Sequence, residues 1–143
     1  MRALLDFNVW IAFFDDAHQF SDRANHFFAK KGVRIATCLL VENGVICVLI
    51  SPHYSRCGTL ASQQVRERLR EACGVLDHAF WPDDVSLRDD LLFNFARVQG
   101  HNQITDMQLL ALAVHHGGCL ASLDQTISLT SVHKATERHL NVL

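Results

Sequence analysis

The sequence predicts an α/β fold in which helices cover both faces of a mostly parallel sheet. Short apolar segments, typical of buried strands, alternate along the chain with segments of helical periodicity. The 143 residues are 49% hydrophobic and 20% charged, which suits a single domain (1–143) with a full core. No internal repeat, linker or low-complexity segment interrupts this pattern.

The chain begins with a short buried strand over 3–5, followed by an apolar helix over 9–14. A second helix is predicted over 21–31, because Ser21 is a favourable N-cap and Gly32 a favourable C-cap. Both helices therefore precede the second strand.

The second strand is predicted over 33–36, and the apolar segment 38–50 that follows it is ambiguous by periodicity. Its length exceeds that of a typical strand. We interpret it as a buried helix that starts near Thr37 and stops before Ser51-Pro52. Gly44 weakens this helix by about 1 kcal/mol relative to alanine.

The C-terminal half continues the alternation of strands and helices. Its predicted elements are a charge-rich helix over 62–76, a strand over 79–81, a helix from Ser86 to about Val98, a helix over 105–116, a strand over 119–123 and a last strand at Val142-Leu143. The helix over 105–116 is the clearest, because Thr105 and Gln108 suit a capping box and Gly117-Gly118 ends it.

The bulk composition argues against several protein classes. A net charge of −2 gives no overall basic field, so a nucleic acid would have to bind a local patch. The five cysteines include no CxxC pair, which argues against a disulfide framework or zinc knuckle and favours a reducing compartment. No secretion signal or bilayer-length apolar segment is visible, so we expect a cytoplasmic protein without a membrane partner.

The nine histidines lack the spacing of a metal motif such as HExxH. His115 and His116 are adjacent, so on a helix their side chains are expected to point in different directions. We therefore expect these two histidines to face solvent or to pack without a ligand.

Four acidic residues lie at the ends of predicted elements in apolar surroundings. Asp6 and Asp124 directly follow strands, whereas Asp106 lies in the first turn of a helix and Glu42 about one turn into another. A carboxylate embedded in apolar sequence is costly to bury without a partner. No basic residues stand beside these four, so the expected partner is a hard cation with oxygen ligands, Mg²⁺ or Mn²⁺.

Parallel strands place their carboxyl ends at one edge of a sheet, so the four acids can lie together there. Two carboxylates ~4 Å apart repel by ~4 kcal/mol at an effective dielectric constant of ~20. The cluster therefore requires either protonation or a metal ion. Phosphodiester hydrolysis by a metal-activated water uses such a cluster, and no GxSxG, P-loop or GxGxxG motif suggests other chemistry.

Each acid also has a purely structural interpretation. Asp6 and Asn8 could shape a turn and cap the next helix, Asp106 could stabilise a helix start, and Asp124 could initiate a turn. Glu42 is the hardest to explain in this way, because it stands alone in an apolar segment. The joint pattern of four acids on one predicted edge favours a functional site.

At these residues the chain resembles the PIN-domain nucleases and, within them, the VapC toxins of bacterial toxin–antitoxin pairs. Four ordered segments carry the resemblance, and together they span nearly the whole chain. They are 4–12 (LLDFNVWIA), 36–44 (ATCLLVENG), 103–113 (QITDMQLLALA) and 120–124 (LASLD). The sequence departs from the usual motifs at Phe7, where a small hydroxyl residue is common, and at Gln125, where arginine is common.

The resemblance implies a three-layer α/β/α fold and endoribonuclease activity that depends on Mg²⁺ or Mn²⁺. It also implies a homodimer and an inhibitory antitoxin protein encoded alongside. The residues it implicates in holding the metal, directly or through water, are Asp6, Glu42, Asp106 and Asp124, and those that would orient the acids and the water are Asn8 and Thr105.

Three other functions remain open at this point. One is an RNA-processing PIN nuclease that is not a toxin, and another is a degenerate PIN domain that only binds protein or RNA. A phosphoacceptor domain is the most distant, since it needs a lysine after a late strand and Lys134 follows no clear strand.

Candidate RNA contacts are weakly indicated. Arg66 and Arg70 lie four residues apart on one predicted helix, so both could reach a phosphate backbone. Glu67 and Glu71 interleave with them, which favours a solvated face with intrahelical ion pairs. The weaker candidates, on or near loops, are Arg56, Arg97 and His101.

Overall fold

The structure, a computed structural model, describes residues 1–54 and 60–143. A five-stranded sheet forms the centre of the molecule, with the strand order β3-β2-β1-β4-β5 and parallel pairing throughout. The strands are β1 (Ala3–Leu5), β2 (Arg34–Thr37), β3 (Asp77–Phe80), β4 (Cys119–Ser122) and β5 (Leu140–Val142).

Five α-helices flank this sheet, and the predicted three-layer α/β/α fold is confirmed. They are α1 (Phe7–Phe14), α2 (Ser21–Phe28), α3 (Leu39–Ile50), α4 (Ser62–Val75) and α5 (Gln103–His115). Short 3₁₀ helices lie at Phe95–Arg97, Leu129–Ser131 and Glu137–His139. None of the helices in the described ranges has the length and apolar character needed to cross a membrane.

The core is built around the central strand β1. Leu4 pairs with Ala36 on one side and with Leu120 on the other, and all three side chains are fully buried. Continuous apolar segments of this kind are typical of parallel strands covered on both faces. This register brings the carboxyl ends of β1, β2 and β4 to a common edge of the sheet.

The predicted helix over 86–98 is wrong. Residues 86–94 contain turns and irregular backbone, and only Phe95–Arg97 is helical, as a 3₁₀ turn. The Asp89 Oδ1 atom accepts a hydrogen bond from the Leu91 N–H at 2.9 Å, which offers the backbone an alternative to a helix. Phe93 then pairs with Val132 in an isolated antiparallel bridge, so tertiary contacts overrode the helical pattern.

Several predicted helix boundaries also differ from the structure. Phe20, not Ser21, is the N-cap of α2, and the Ser21 Oγ atom accepts from the side chain of Asn25. The helix ends at Phe28, three residues before the predicted end. Helix α5 begins at Gln103, so Thr105 is its third residue and the predicted capping box is wrong.

Glycine ends α5, as predicted, through a Schellman motif. Gly117 adopts a left-handed conformation with φ of 67°, and its N–H donates to the Val114 carbonyl at 3.1 Å. The Gly118 N–H donates to the Ala113 carbonyl at 2.8 Å. The chain then enters β4 directly.

The expectation that His115 and His116 point apart is wrong. His115 is the last residue of α5 and His116 is its C-cap, where the chain leaves the helix. Their Nε2 atoms lie 3.5 and 3.1 Å from the two carboxylate oxygens of Asp84. Both rings therefore converge on one carboxylate, although the two residues are adjacent in sequence.

We expect Gly118→Ala to destabilise the fold by about 1–3 kcal/mol, because the new methyl group overpacks a rigid site. A Cβ atom at Gly118 would lie 2.5 Å from both the Arg2 carbonyl oxygen and the Trp81 Cη2 atom. Gly74→Ala is the matched control, since a Cβ atom there meets nothing within 4 Å. Urea unfolding should show a loss for Gly118→Ala only, and equal stability of the two variants would contradict the close packing.

Candidate active site

Three of the four predicted acids lie together at the carboxyl edge of the sheet. Asp6 directly follows β1 and is only 2% exposed, whereas the half-buried Asp124 lies two residues beyond β4 and Asp106 lies in the first turn of α5. Burial, followed by the charges of Asp6 and Asp124, raises the Asp106 pKa to about 6. Burial also raises the Asp6 pKa, and the Asp124 charge adds to that shift. The three carboxyl groups therefore form one electrostatic cluster.

Ser122, the last residue of β4, links this cluster by hydrogen bonds. Its hydroxyl is fully buried and donates to the Asp6 Oδ2 atom at 2.7 Å. The same Oγ atom accepts from the Asn8 Nδ2 atom at 3.1 Å and from the Asp124 N–H at 3.0 Å. Ser122 thus fixes the position of Asp6 relative to the ends of β4 and α1.

The Asn8 side chain donates to the Ser122 hydroxyl, and its Oδ1 atom accepts a long hydrogen bond of 3.4 Å from the Leu123 N–H. Thr105 lies half-buried in the first turn of α5, next to Asp106 in sequence. Sequence reasoning assigned no role to Ser122. The sequence feature that could have identified Ser122 is its position at the end of an apolar strand, immediately before Leu123-Asp124.

Asp124 also initiates a turn, as its structural interpretation predicts. Its Oδ1 atom accepts from both the N–H and the hydroxyl of Thr126, each at 2.7 Å. The turn fixes the Asp124 side chain near the other two acids, where its charge raises the pKa values of Asp6 and Asp106. The structural and functional interpretations of Asp124 are therefore compatible.

Glu42 lies in the first turn of α3 and faces a neighbouring cavity. Its Oε1 atom accepts from the Thr37 hydroxyl at 2.7 Å, and the Thr37 Oγ1 atom lies 2.8 Å from the His78 Nε2 atom. Because the hydroxyl gives its proton to Glu42, the His78 Nε2–H must donate to Thr37. The Glu42 charge acts on Cys73, whose pKa is raised to about 11 mainly by burial.

The cavity beside Glu42 has a volume of about 340 Å³ and is lined by two of the arginines that are candidates for RNA contact. Its lining includes Arg66 and Arg70 from α4 together with His78 from β3. Arg66 pairs with Glu67 at 3.3 Å, but both side chains are exposed and such pairs contribute less than about 1 kcal/mol. The arginines therefore remain accessible to an anion that enters the cavity.

The other candidate RNA contacts are more dispersed. Arg97 is exposed in the 3₁₀ turn before α5, and His101 is exposed in the loop that follows. Arg56 lies outside the described residues.

The three-acid cluster fits a hard divalent cation. Within the described ranges, the buried Asp6 Oδ1 atom has no hydrogen-bond partner, although the Phe7 and Asn8 backbone N–H groups lie near enough to the carboxyl group to lower its pKa. Burial of an unpaired carboxylate oxygen is costly. The available donors are carboxylate oxygens, which Mg²⁺ and Mn²⁺ prefer. In the part of the chain described, no three of the four acids have carboxylate oxygens that all lie within 4.8 Å of one another. A bound cation would therefore require side-chain rotation or bridging water.

We expect Asp106→Asn to stabilise the fold at pH 7.5 when no divalent ion is present. The folded pKa of about 6 exceeds the reference value of 3.8, so the folded state binds more protons between these values. Stability is therefore lost as pH rises from about 4 to 6. Removing this penalty should add on the order of 1 kcal/mol, allowing for solvent screening of a half-buried group.

Thermal unfolding of wild type and Asp106→Asn at pH 4 and pH 7.5 tests this expectation. The gain should be present at pH 7.5, small at pH 4, and absent from Asp90→Asn, which changes an exposed acid. A lower melting temperature for Asp106→Asn at pH 7.5 would show that the charge is not destabilising.

Comparison with known proteins places these features in a family, although no family model matches the chain. Ribonuclease VapC44 of Mycobacterium tuberculosis is 36% identical over 144 aligned residues, which cover 100% of both chains. Ribonuclease VapC29 of the same organism is 32% identical over 90% of each chain, and ribonuclease VapC38 is 36% identical over 85% of this chain and 84% of its own. Because the similarity extends over the whole chain, the protein belongs to the VapC family of PIN-domain ribonucleases.

Proposed function

We propose that this protein is a divalent-metal-dependent endoribonuclease and the toxin of a toxin–antitoxin pair. The observation that carries the proposal is the buried Asp6 carboxylate, whose Oδ1 atom lacks a partner among the described residues. Asp106 and Asp124 lie close enough to interact electrostatically with it. Membership of the VapC family favours this function over an RNA-processing nuclease or a binding module.

Asp6, Asp106 and Asp124 would hold Mg²⁺ or Mn²⁺, directly or through water. When bound, such an ion lowers the pKa of a water molecule and offsets negative charge that develops on the phosphate. Ser122 keeps the Asp6 Oδ2 atom in place by donating a hydrogen bond. Asn8 supports Ser122 from the start of α1. Thr105, beside Asp106 at the start of α5, would orient water or the acid.

Glu42 would act from the side of the arginine-lined cavity. The Thr37 hydroxyl fixes its Oε1 atom, which leaves the second carboxylate oxygen to turn towards the other acids or to hold a water molecule. The half-exposed carboxylate could reach a shared ion only through water or after rotation. Glu42 would thus link the metal-holding edge to the surface that receives the RNA.

RNA would enter along the surface that contains Arg66 and Arg70. These side chains line one cavity with Glu42, so a phosphate held by arginine would lie beside an acid of the proposed site. Contacts to phosphate position an RNA strand but carry no sequence information. Arg97 and His101, before the start of α5, would provide weaker contacts.

The proposal includes an inhibitory antitoxin protein and a homodimer, as is usual in this family. An antitoxin encoded next to this chain should copurify with it when the two are expressed together. Light scattering of the purified toxin should give about twice the chain mass of 16.1 kDa. A monomeric mass at micromolar concentration would contradict the dimer.

The activity test is cleavage of a structured RNA mixture by protein freed of antitoxin, with Mg²⁺, Mn²⁺ or EDTA. We expect cleavage with either metal and none with EDTA, because the proposed hydrolysis needs a metal ion that activates water and offsets charge on the phosphate. Cleavage that persists fully in EDTA would contradict a metal-dependent mechanism.

Arg66→Ala/Arg70→Ala should weaken RNA binding, whereas Arg88→Ala, in an exposed turn, is the control.

A further inference from the structure

A second group of potential metal ligands lies at the opposite end of α5 from Asp106. It consists of Asp84, His115 and His116, whose ligand atoms all lie within 4.8 Å of one another. The His115 Nε2 atom is 3.5 Å from Asp84 Oδ2, and the His116 Nε2 atom is 3.1 Å from Asp84 Oδ1. Two imidazole rings and one carboxylate thus converge on a small volume.

These separations are close to those that a transition metal requires. Zinc binds nitrogen and oxygen ligands at about 2.0–2.2 Å, so two ligands of one ion lie within about 4.4 Å of each other. The group needs little rearrangement to meet that limit. Imidazole nitrogen suits zinc, nickel and cobalt, whereas magnesium and calcium favour oxygen.

The packing around His116 holds one ligand in position. Its ring stacks on the Trp81 ring at a centroid distance of 4.8 Å and an angle of 12°. Trp81 is only 8% exposed and lies against Gly118, where any side chain would collide with it. Asp84 is positioned by a hydrogen bond of 2.9 Å from its N–H to the Pro82 carbonyl. The ligands are therefore partly preorganised before an ion binds.

This group is separate from the acidic cluster. Asp106 and His115 are nine residues apart on α5, which corresponds to about 14 Å along the helix axis. The acidic cluster offers carboxylate oxygens only, whereas this group offers two imidazole nitrogens. The two sites should therefore differ in metal preference.

We propose that Asp84, His115 and His116 form a zinc-type site that ties the segment 81–84 to the C-terminal end of α5. Three protein ligands leave a fourth position for water, as is usual for an accessible zinc site. Bound zinc would stabilise the fold, because the site forms only when the segment after β3 packs against the end of α5. This role is independent of RNA cleavage.

The test uses Asp106→Asn protein as the background, so that metal binding at the acidic cluster is reduced. Calorimetric titration with Zn²⁺ should show one equivalent bound, and Zn²⁺ should raise the melting temperature. His115→Ala/His116→Ala should weaken Zn²⁺ binding at least ~10-fold. Asp84→Asn should also weaken it, and this variant keeps both rings and the stacking of His116 on Trp81. His133→Ala, which removes an exposed histidine elsewhere, is the matched control.

Tryptophan fluorescence provides a local readout. The chain has two tryptophans, and only Trp81 stacks on a proposed ligand. Ni²⁺ should quench the emission in the Asp106→Asn background and lose this effect in Asp84→Asn. Equal Zn²⁺ affinity in all variants, or no Zn²⁺ binding by the background protein, would overturn the proposal and leave an ion-pair cluster only.

Discussion

Asp6→Asn should lower RNA cleavage at least ~100-fold while the fold remains intact. The amide has the same shape and can still accept the hydrogen bond from Ser122, but it removes one of the three charges that would hold a divalent cation. A bound metal contributes several kcal/mol of charge stabilisation, and 100-fold corresponds to about 2.7 kcal/mol. Asp6 should have the largest effect because it is the most deeply buried of the acids.

The measurement is the cleavage rate of one purified RNA by wild type and Asp6→Asn at saturating Mg²⁺. Asp90→Asn, an exposed aspartate in the turn after residue 86, is the control and should cleave at the wild-type rate. Circular dichroism and melting temperature verify that both variants are folded. A rate for Asp6→Asn within threefold of the wild type would remove Asp6 from the active site.

Ser122→Ala should reduce both stability and activity. Its hydroxyl donates to Asp6 and accepts from Asn8 and the Asp124 backbone, so alanine leaves one buried and two half-buried polar groups without this partner. Each such loss costs about 1–3 kcal/mol. Asp6 would lose its anchor to β4, and we expect cleavage to fall by roughly 10-fold, as is usual when a group that orients a metal ligand is removed.

Thr126→Ala is the matched control for this substitution. It removes another hydroxyl bonded to an acid of the cluster, but Thr126 is exposed and its N–H still donates to Asp124. Urea unfolding and cleavage below the melting temperature of both variants separate stability from activity. Ser122→Ala should be clearly worse in both, and equal behaviour would show that Ser122 does not position Asp6.

The fold was predictable because the alternation of buried strands and helices is a local pattern in this sequence, although several exact helix boundaries were not. Buried parallel strands have continuous apolar segments, such as Leu4-Leu5 and Leu120-Ala121, and helices separate them. The segment 86–98 was not predictable in the same way. Its helix is prevented by the Asp89 turn and by the bridge of Phe93 to Val132, which is a contact between distant parts of the chain.

The candidate site was predictable as a location but not in its detailed geometry. Strand order alone places Asp6 and Asp124 at one edge, because β1 and β4 are neighbours. The direction of Glu42 depends on Thr37 and on His78 from β3, which lies 41 residues after Thr37. The convergence of His115 and His116 depends on Asp84 from the segment after β3, a contact that spacing rules for a helix do not describe.

We expect Asp6, Asp106 and Asp124 to hold a divalent cation at the carboxyl edge of the sheet. Diffraction from crystals grown with Mn²⁺, recorded near the manganese absorption edge, locates the ion directly. We expect an anomalous peak within bonding distance of the Asp6 Oδ1 atom, with Asp106 and Asp124 bound to the same ion or to its water. An ordered Asp6 side chain with no manganese beside it, in crystals containing millimolar Mn²⁺, would show that Asp6 does not hold the cation.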